Sequence, residues 1–273
     1  MTPACRQALA RYLLAMADDE LVIGYRDTEW TGAAPMLEED LAFSSIGVDE
    51  VGHARLYYSL LHELTGKNID YRARKPDEYL HARFVERAAA PRYMANGLHR
   101  PGRDWAYAII RQYLYDLFDS VRLASIRRSG WEPLAQAVEK VQREEKYHLQ
   151  HGELWFERLA GGDAETRARL ESALQSAWPD ALALFEPVEG EATLAASGLI
   201  SDPSDRLRDL WLERLAPGFQ SHDLALPAKL SNGHWELLTE PEFGGRTGSH
   251  SADWQEQWDD MTSVYRLDPA AIW

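Results

Sequence analysis

Asp49-Glu50-Val51-Gly52-His53 and Glu144-Glu145-Lys146-Tyr147-His148 repeat one order of residue types: an acid, a glutamate and, three positions on, a histidine. Side chains at i and i+3 of a helix share a face, so each Glu–His pair can reach one point in space. Working outward, both motifs sit in helical periodicity. Phe43, Ile46, Tyr57 and Leu61 share the stripe of Glu50 and His53, in a helix expected from about Met36 to Leu64 with Gly66 where a C-terminus wants it. Leu134, Val141 and Trp155 share the stripe of Glu145 and His148, in a helix expected from about Glu132 to Leu159 and stopped by Gly161-Gly162-Asp163.

Two further long helices carry the same anomaly. From about Pro3 to Tyr25, the stripe Leu9, Leu13, Met16, Ile23 includes Glu20. From about Asp104 to Arg128, the stripe of Trp105, Ile109 and Leu123 includes Gln112, Asp116 and Asp119. A buried carboxylate without compensation is costly, and four helices doing this together point to a shared positive partner. Two Glu-x-x-His pairs plus one acid from each of the other two helices is the pattern of dinuclear carboxylate bundles. The residues for it are Glu20, Glu50, His53, Glu145, His148 and either Asp116 or Asp119. Two divalent ions (+4) would balance four carboxylates (−4), with neutral imidazoles as ligands. The plainer reading is a metal-free polar network of buried acids and histidines.

The rest of the chain supports an all-α architecture on four antiparallel helices. A basic run, Arg72, Arg74 and Lys75, precedes a short helix expected around Glu78 to Ala89, and Pro91 to Arg103 reads as a loop. Further helices are expected from about Glu165 to Phe185, bent at Pro179, from Ser204 to Ala216, and from Ala252 to Arg266. Ala225 to His250 is irregular, and no strand pattern stands out. One domain over 1–273 is expected, with a core bundle over about 3–160 and C-terminal helices and an arm over about 163–273.

Composition narrows the function. The 273 residues carry 29 Lys plus Arg against 44 Asp plus Glu, a net charge of −15, which argues against nucleic acid or an anionic membrane as partner. No apolar run approaches the roughly 20 residues of a membrane span, and Met1 to Arg6 lacks the pattern of a signal peptide. The lone cysteine, Cys5, rules out an internal disulfide, a Cys-based zinc site and an iron–sulfur cluster, and a cytoplasmic protein is expected.

At these residues the sequence resembles the ferritin-like subunits of the bacterial phenylacetyl-CoA monooxygenase (1,2-epoxidase). The likeness covers nearly the whole chain. It is carried by Asp18 to Gly24, Glu29 to Ala42, Asp49 to Arg55, Arg111-Gln112-Tyr113, Glu144 to His148 and Gly244-Gly245-Arg246-Thr247-Gly248. Length and C-terminal arm look like the smaller, scaffold-type subunit, which in the family has typically lost its iron ligands. Glu20, Glu50, His53, Glu145 and His148 instead match the ligand set of the catalytic subunit, and Asp116 falls where that subunit places its third-helix carboxylate. The resemblance implies a ferritin-like bundle, a dinuclear iron centre that activates O2, an aromatic acyl-CoA substrate converted to a ring epoxide, and other oxygenase subunits as partners. Electrons would come from an external NADPH-linked flavin and iron–sulfur reductase, since one cysteine and no dinucleotide fingerprint leave no source within the chain. The alternative it implies is a noncatalytic structural subunit beside a separate catalytic one.

Other residues receive lesser roles. Asp49 is placed to hydrogen-bond the distal nitrogen of a ligand histidine on a neighbouring helix, and Gln112 and Asp119 flank Asp116 in the pocket. Arg72, Arg74 and Lys75 are candidates for CoA phosphates, against a solvated basic loop. Trp254, Trp258 and Trp273 are candidate anchors of a subunit interface.

Overall fold

The four long helices form where periodicity places them. In the computed structural model, which describes residues 1–93, 99–100 and 103–271, α1 spans Pro3–Thr28, α2 Leu37–Thr65, α3 Trp105–Ile126 and α4 Glu132–Ala160. Local chemistry sets their ends. The Thr2 side chain accepts from the Cys5 amide at the start of α1, and Asp104 accepts from the Ala106 amide at the start of α3. Gly66 stops α2 in the left-handed region, at φ 72°.

α1 packs antiparallel on α2, and α3 on α4. Glycines set the spacing of both pairs. A Cβ on Gly24 would stand 2.8 Å from Glu50 Cβ and 2.9 Å from the Gly47 carbonyl, and one on Gly152 would stand 3.0 Å from Tyr113 Cα. The apolar stripes, from Leu9, Leu13, Met16 and Ile23 through to Leu134 and Val141, are buried as read from sequence. The chain is an all-α, ferritin-like four-helix bundle.

Among the described residues five shorter helices follow: α5 (Ala164–Leu182), α6 (Glu191–Ala196), α7 (Ser204–Ser221), α8 (Ala252–Met261) and α9 (Ser263–Leu267). α5 and α7 cover α3, where Trp211 Nε1 donates to the Leu114 carbonyl at 3.0 Å. α7 continues through Pro217 to Ser221, past the expected end, and the last expected helix divides at Thr262.

Three expectations are corrected. The short helix around Glu78 to Ala89 does not form beyond a single 3₁₀ turn at Pro76–Glu78. Amides there are claimed by carboxylates from other elements: Leu80 N by Asp18 (2.8 Å), Ala82 N by Asp19 (2.8 Å) and Ala88 N by Asp253 (3.1 Å). Strands do occur. Ala228–Ser231 pairs antiparallel with His234–Leu237 around Asn232-Gly233, both at positive φ as a two-residue hairpin turn requires, and Arg92–Tyr93 pairs with His99–Arg100. Part of the loop expected over Pro91 to Arg103 lies outside the described residues.

The third correction concerns the arm, which folds inward. Trp254 is buried and donates to the Pro76 carbonyl at 3.0 Å, so it serves this chain's own packing, while Trp258 is half-buried and donates to the Arg74 carbonyl at 3.0 Å. Trp273 lies outside the described residues. Around Glu86 the arm is pinned further: His81 Nε2 and His250 Nδ1 stand 2.7 and 2.9 Å from Oε2, and the Ser251 amide donates to Oε1 at 2.6 Å.

Candidate metal centre

Glu20 on α1, Glu50 and His53 on α2, and Glu145 on α4 are all buried, with one ligand-type atom from each inside 4.8 Å of the others. His148 joins them: its Nδ1 stands 3.3 Å from Glu50 Oε1 and 3.3 Å from Glu145 Oε1. His53 Nδ1 stands 3.2 Å from Glu145 Oε1, 3.6 Å from Glu50 Oε2 and 3.9 Å from Glu20 Oε2. Glu50 and Glu145 therefore lie between the two imidazoles, while Glu20 faces the His53 side. Asp116 on α3 is buried and feels the charges of Glu145 and His148, but it is not among the four residues whose ligand-type atoms lie within 4.8 Å of one another.

The outward ring nitrogens have carboxylate partners. His53 Nε2–H donates to Glu144 at 2.8 Å, and His148 Nε2–H to Asp49 at a longer 3.4 Å. Each acid precedes the Glu of its own motif and reaches the histidine of the other helix. Asp49 stands where the sequence reading places it. Glu144, its mirror image, escapes that reading, although the Asp49-Glu50 and Glu144-Glu145 doublets carry the same signal. These contacts turn Nδ1 of both rings inward, as outer carboxylates do for metal-ligating histidines.

The interior is left unsatisfied. Glu20 Oε2, both oxygens of Glu50, both of Glu145, Asp116 Oδ2, His53 Nδ1 and His148 Nδ1 are buried without a hydrogen-bond partner. Buried polar atoms in this number call for an explanation. The set is all carboxylate and imidazole, a donor set suited to iron or manganese. The residues fit a dinuclear centre.

Electrostatics agree. Burial pulls the imidazole pKa values down, but the facing Glu145 and Glu50 carboxylates outweigh it and push His53 up to about 11 and His148 up to about 12. Burial, with the neighbouring Glu50 charge, raises the Glu20 carboxyl well above its ordinary range. Burial and the Glu145 charge do the same to Asp116. Glu50 is driven the other way: burial raises it, but the facing Glu20 carboxyl and the His148 and His53 imidazoles outweigh that and hold it below its ordinary range. Without ions, the raised carboxyl and imidazole pKa values let protons neutralise the cluster.

Arg122 also escapes the sequence reading. Its guanidinium is buried and donates to Glu20 Oε1 at 2.6 Å, Asp19 Oδ2 at 2.8 Å and Asp119 Oδ1 at 2.7 Å. Asp119, weighed against Asp116 in the sequence, thus has a cation of its own. Burial lifts it to about 7 against the opposing pull of Arg122. Gln112 lies beside Asp116 as expected, its amide donating to Oδ1 at 2.6 Å.

The basic run is not gathered at this site. Arg74 is largely buried, held on Asp18 by two hydrogen bonds and on the Glu78 carbonyl, which leaves it no face for a phosphate. Arg72 pairs with Asp70 two residues away. Lys75 is exposed, and its backbone amide donates to the Glu78 carboxylate at 2.7 Å.

Fold and site define a class: four-helix bundles in which two helices each present a Glu-x-x-His pair inward and the other two each present an acid. Comparison with known proteins narrows it. The whole chain, residues 1–273, matches the family described as phenylacetic acid catabolic protein, and the chain belongs to that family. It is similar to the C subunit of 1,2-phenylacetyl-CoA epoxidase from Escherichia coli (strain K12), 29% identical over 268 residues that cover 97% of this chain and 99% of that one. It is also similar to the A subunit of the enzyme from the same organism, 23% identical over 265 residues, 94% of this chain and 78% of that one.

Proposed function

We propose that this chain is a component of a multisubunit oxygenase that epoxidises the ring of phenylacetyl-CoA or a related aromatic acyl-CoA in phenylacetate catabolism, and that it carries a dinuclear iron centre of its own. Glu20, Glu50, His53, Asp116, Glu145 and His148 would hold the metal pair. The observation that carries the reading is the convergence of unpartnered carboxylate oxygens and two imidazole nitrogens on one buried point. Bound iron would supply O2 activation for insertion of one oxygen into the ring. The protein's own residues do the rest: Glu144 and Asp49 orient the imidazoles, Arg122 and Gln112 orient the outer carboxylates, and the surrounding apolar stripes exclude water. A chain with one cysteine needs an external reductase, and the acidic surface together with the lack of a membrane-crossing helix among the described residues suits a cytoplasmic setting.

A second reading is a structural subunit beside a catalytic one. The alignment spans 99% of the C subunit against 78% of the A subunit, so this chain has the length of the smaller subunit, which the family resemblance makes the scaffold type. Iron counting after expression in iron-supplemented medium tests the first reading. About two irons per chain are expected, lost in the Glu50→Ala/His53→Ala double variant. Absence of bound iron after anaerobic Fe(II) reconstitution would overturn it. Ring epoxidation by this chain plus reductase, without another oxygenase subunit, would exclude the second reading.

A further inference from the structure

The two ends of the centre are built alike in plan and differently in charge. Each outer carboxylate has one oxygen tied and one free. Glu20 Oε1 accepts from Arg122 at 2.6 Å while Oε2 is buried and unpartnered. Asp116 Oδ1 accepts from Gln112 at 2.6 Å while Oδ2 is buried and unpartnered. At both ends one oxygen is thereby held by a hydrogen bond and the other is left without one. At the Glu20 end the clamp is a guanidinium, and at the Asp116 end a neutral amide. The outer partners of both histidines are carboxylates, so they differ in distance and not in kind.

A charge-assisted hydrogen bond withdraws more from a carboxylate than one from a neutral amide. Glu20 is therefore the poorer donor to a cation. Asp19 and Asp119 share the Arg122 charge, and Arg246 from the arm takes both oxygens of Asp19, so these four groups are neutral together when both acids are ionised. What distinguishes the ends is the local bond to Glu20.

We infer that Arg122 is a positioning residue that makes the two metal positions unequal: the position at Asp116 and His148 fills first, and the one at Glu20 and His53 is weaker by about tenfold or more, the size of effect that outer partners exert on metal affinity. The inference rests on the dinuclear reading above. The order of filling matters for a centre that must acquire two ions and act only when both are present.

Anaerobic titration of the ion-free chain with Mn(II), followed by electron paramagnetic resonance, tests this without any turnover. The wild type should show an uncoupled Mn(II) signal up to one equivalent and a coupled pair only beyond it. His53→Ala should keep the tight position, and His148→Ala only the weak one. Arg122→Lys, which keeps the cation, should retain the gap between the two dissociation constants. Arg122→Gln, which makes both clamps amides, should close it. Two equal sites in the wild type, a tight site that follows His53 rather than His148, or an undiminished gap in Arg122→Gln would each overturn the inference. The two histidine variants still decide the order of filling if the arginine variants fail to fold, and a reversed order overturns the inference. Failure of the wild type to bind Mn(II) at all would overturn the dinuclear reading as well, which separates the two failures.

Discussion

Asp18, Asp19 and Glu20 are consecutive on α1, all fully buried, and each ends in a different place because successive helical residues turn through about 100°. Asp18 meets Arg74, Tyr58 and the Leu80 amide. Asp19 meets Arg122, Arg246 and the Ala82 amide. Glu20 turns one oxygen to Arg122 and the other inward. Glu20 is legible in the sequence because it interrupts an apolar stripe. Arg122 is not: an arginine three residues after Asp119 reads as a solvent-facing helical pair, and nothing local shows that it also reaches two acids of α1. At this scale the outer partners of the histidines give a prediction. Glu144→Ala should lower metal affinity by about 10–100-fold, measured by competition with a chelator. Asp49→Ala should cost less, because its contact with His148 is 3.4 Å against 2.8 Å for Glu144 with His53. Equal losses would mean that distance is not what separates the two partners.

Between elements, close helix approach and carboxylate clamps replace some of the apolar packing. The contact of Gly24 with Gly47 brings α1 and α2 together at Glu50 itself. Gly24→Ala would place a methyl group against backbone and should destabilise by roughly 1–3 kcal/mol, with reduced metal content, read from thermal melts and iron counts. Long elements are legible because periodicity is a local property. The segment 79–90 is not, since its amides are satisfied by acids distant in sequence. There a pH dependence follows. Burial and the neighbouring His250 hold His81 down to about 4, against 6.5 for an exposed histidine. Between those values the unfolded chain binds a proton that the folded one refuses, so stability is full above pH 6.5 and falls on acidification, by about 3 kcal/mol at pH 4. Glu86, held below its ordinary range despite burial by hydrogen bonds from His250 and His81, adds a further loss below about pH 4.5. His81→Gln keeps a donor for Glu86 without the titration. Its melting temperature should vary less than the wild type's between pH 6.5 and 5, and parallel profiles would sink the assignment.

Across the molecule, the bundle interior and the arm form one electrostatic unit. Asp19, Glu20, Glu50, Asp116, Asp119 and Glu145 are buried together and bring six negative charges when ionised; Arg122 and Arg246 return two positive ones. The balance of four is what two divalent ions supply. The sequence reaches the same balance by another route: its stripes display five carboxylates, of which Asp116 and Asp119 are alternatives, and hide Asp19 and the two arginines. Arg246 comes from the 3₁₀ turn Gly245–Thr247 of the arm and is buried, with hydrogen bonds to Asp19 and to the Leu80 carbonyl. Seating the arm therefore completes the charge balance of the core. Removing one partner of a buried pair strands the other, so Arg246→Met should destabilise by about 3–5 kcal/mol. Most of that cost is the uncompensated Asp19 rather than lost contact. Asp19→Asn in the Arg246→Met background should then recover part of the stability, whereas two independent sites would lose it additively. Denaturant melts of the two single variants and the double variant measure this coupling, and limited proteolysis reports whether the arm is released. Additive losses with a protease-resistant arm would show that the arm is held by its tryptophan and Glu86 contacts without Arg246 and that the core does not depend on that ion pair.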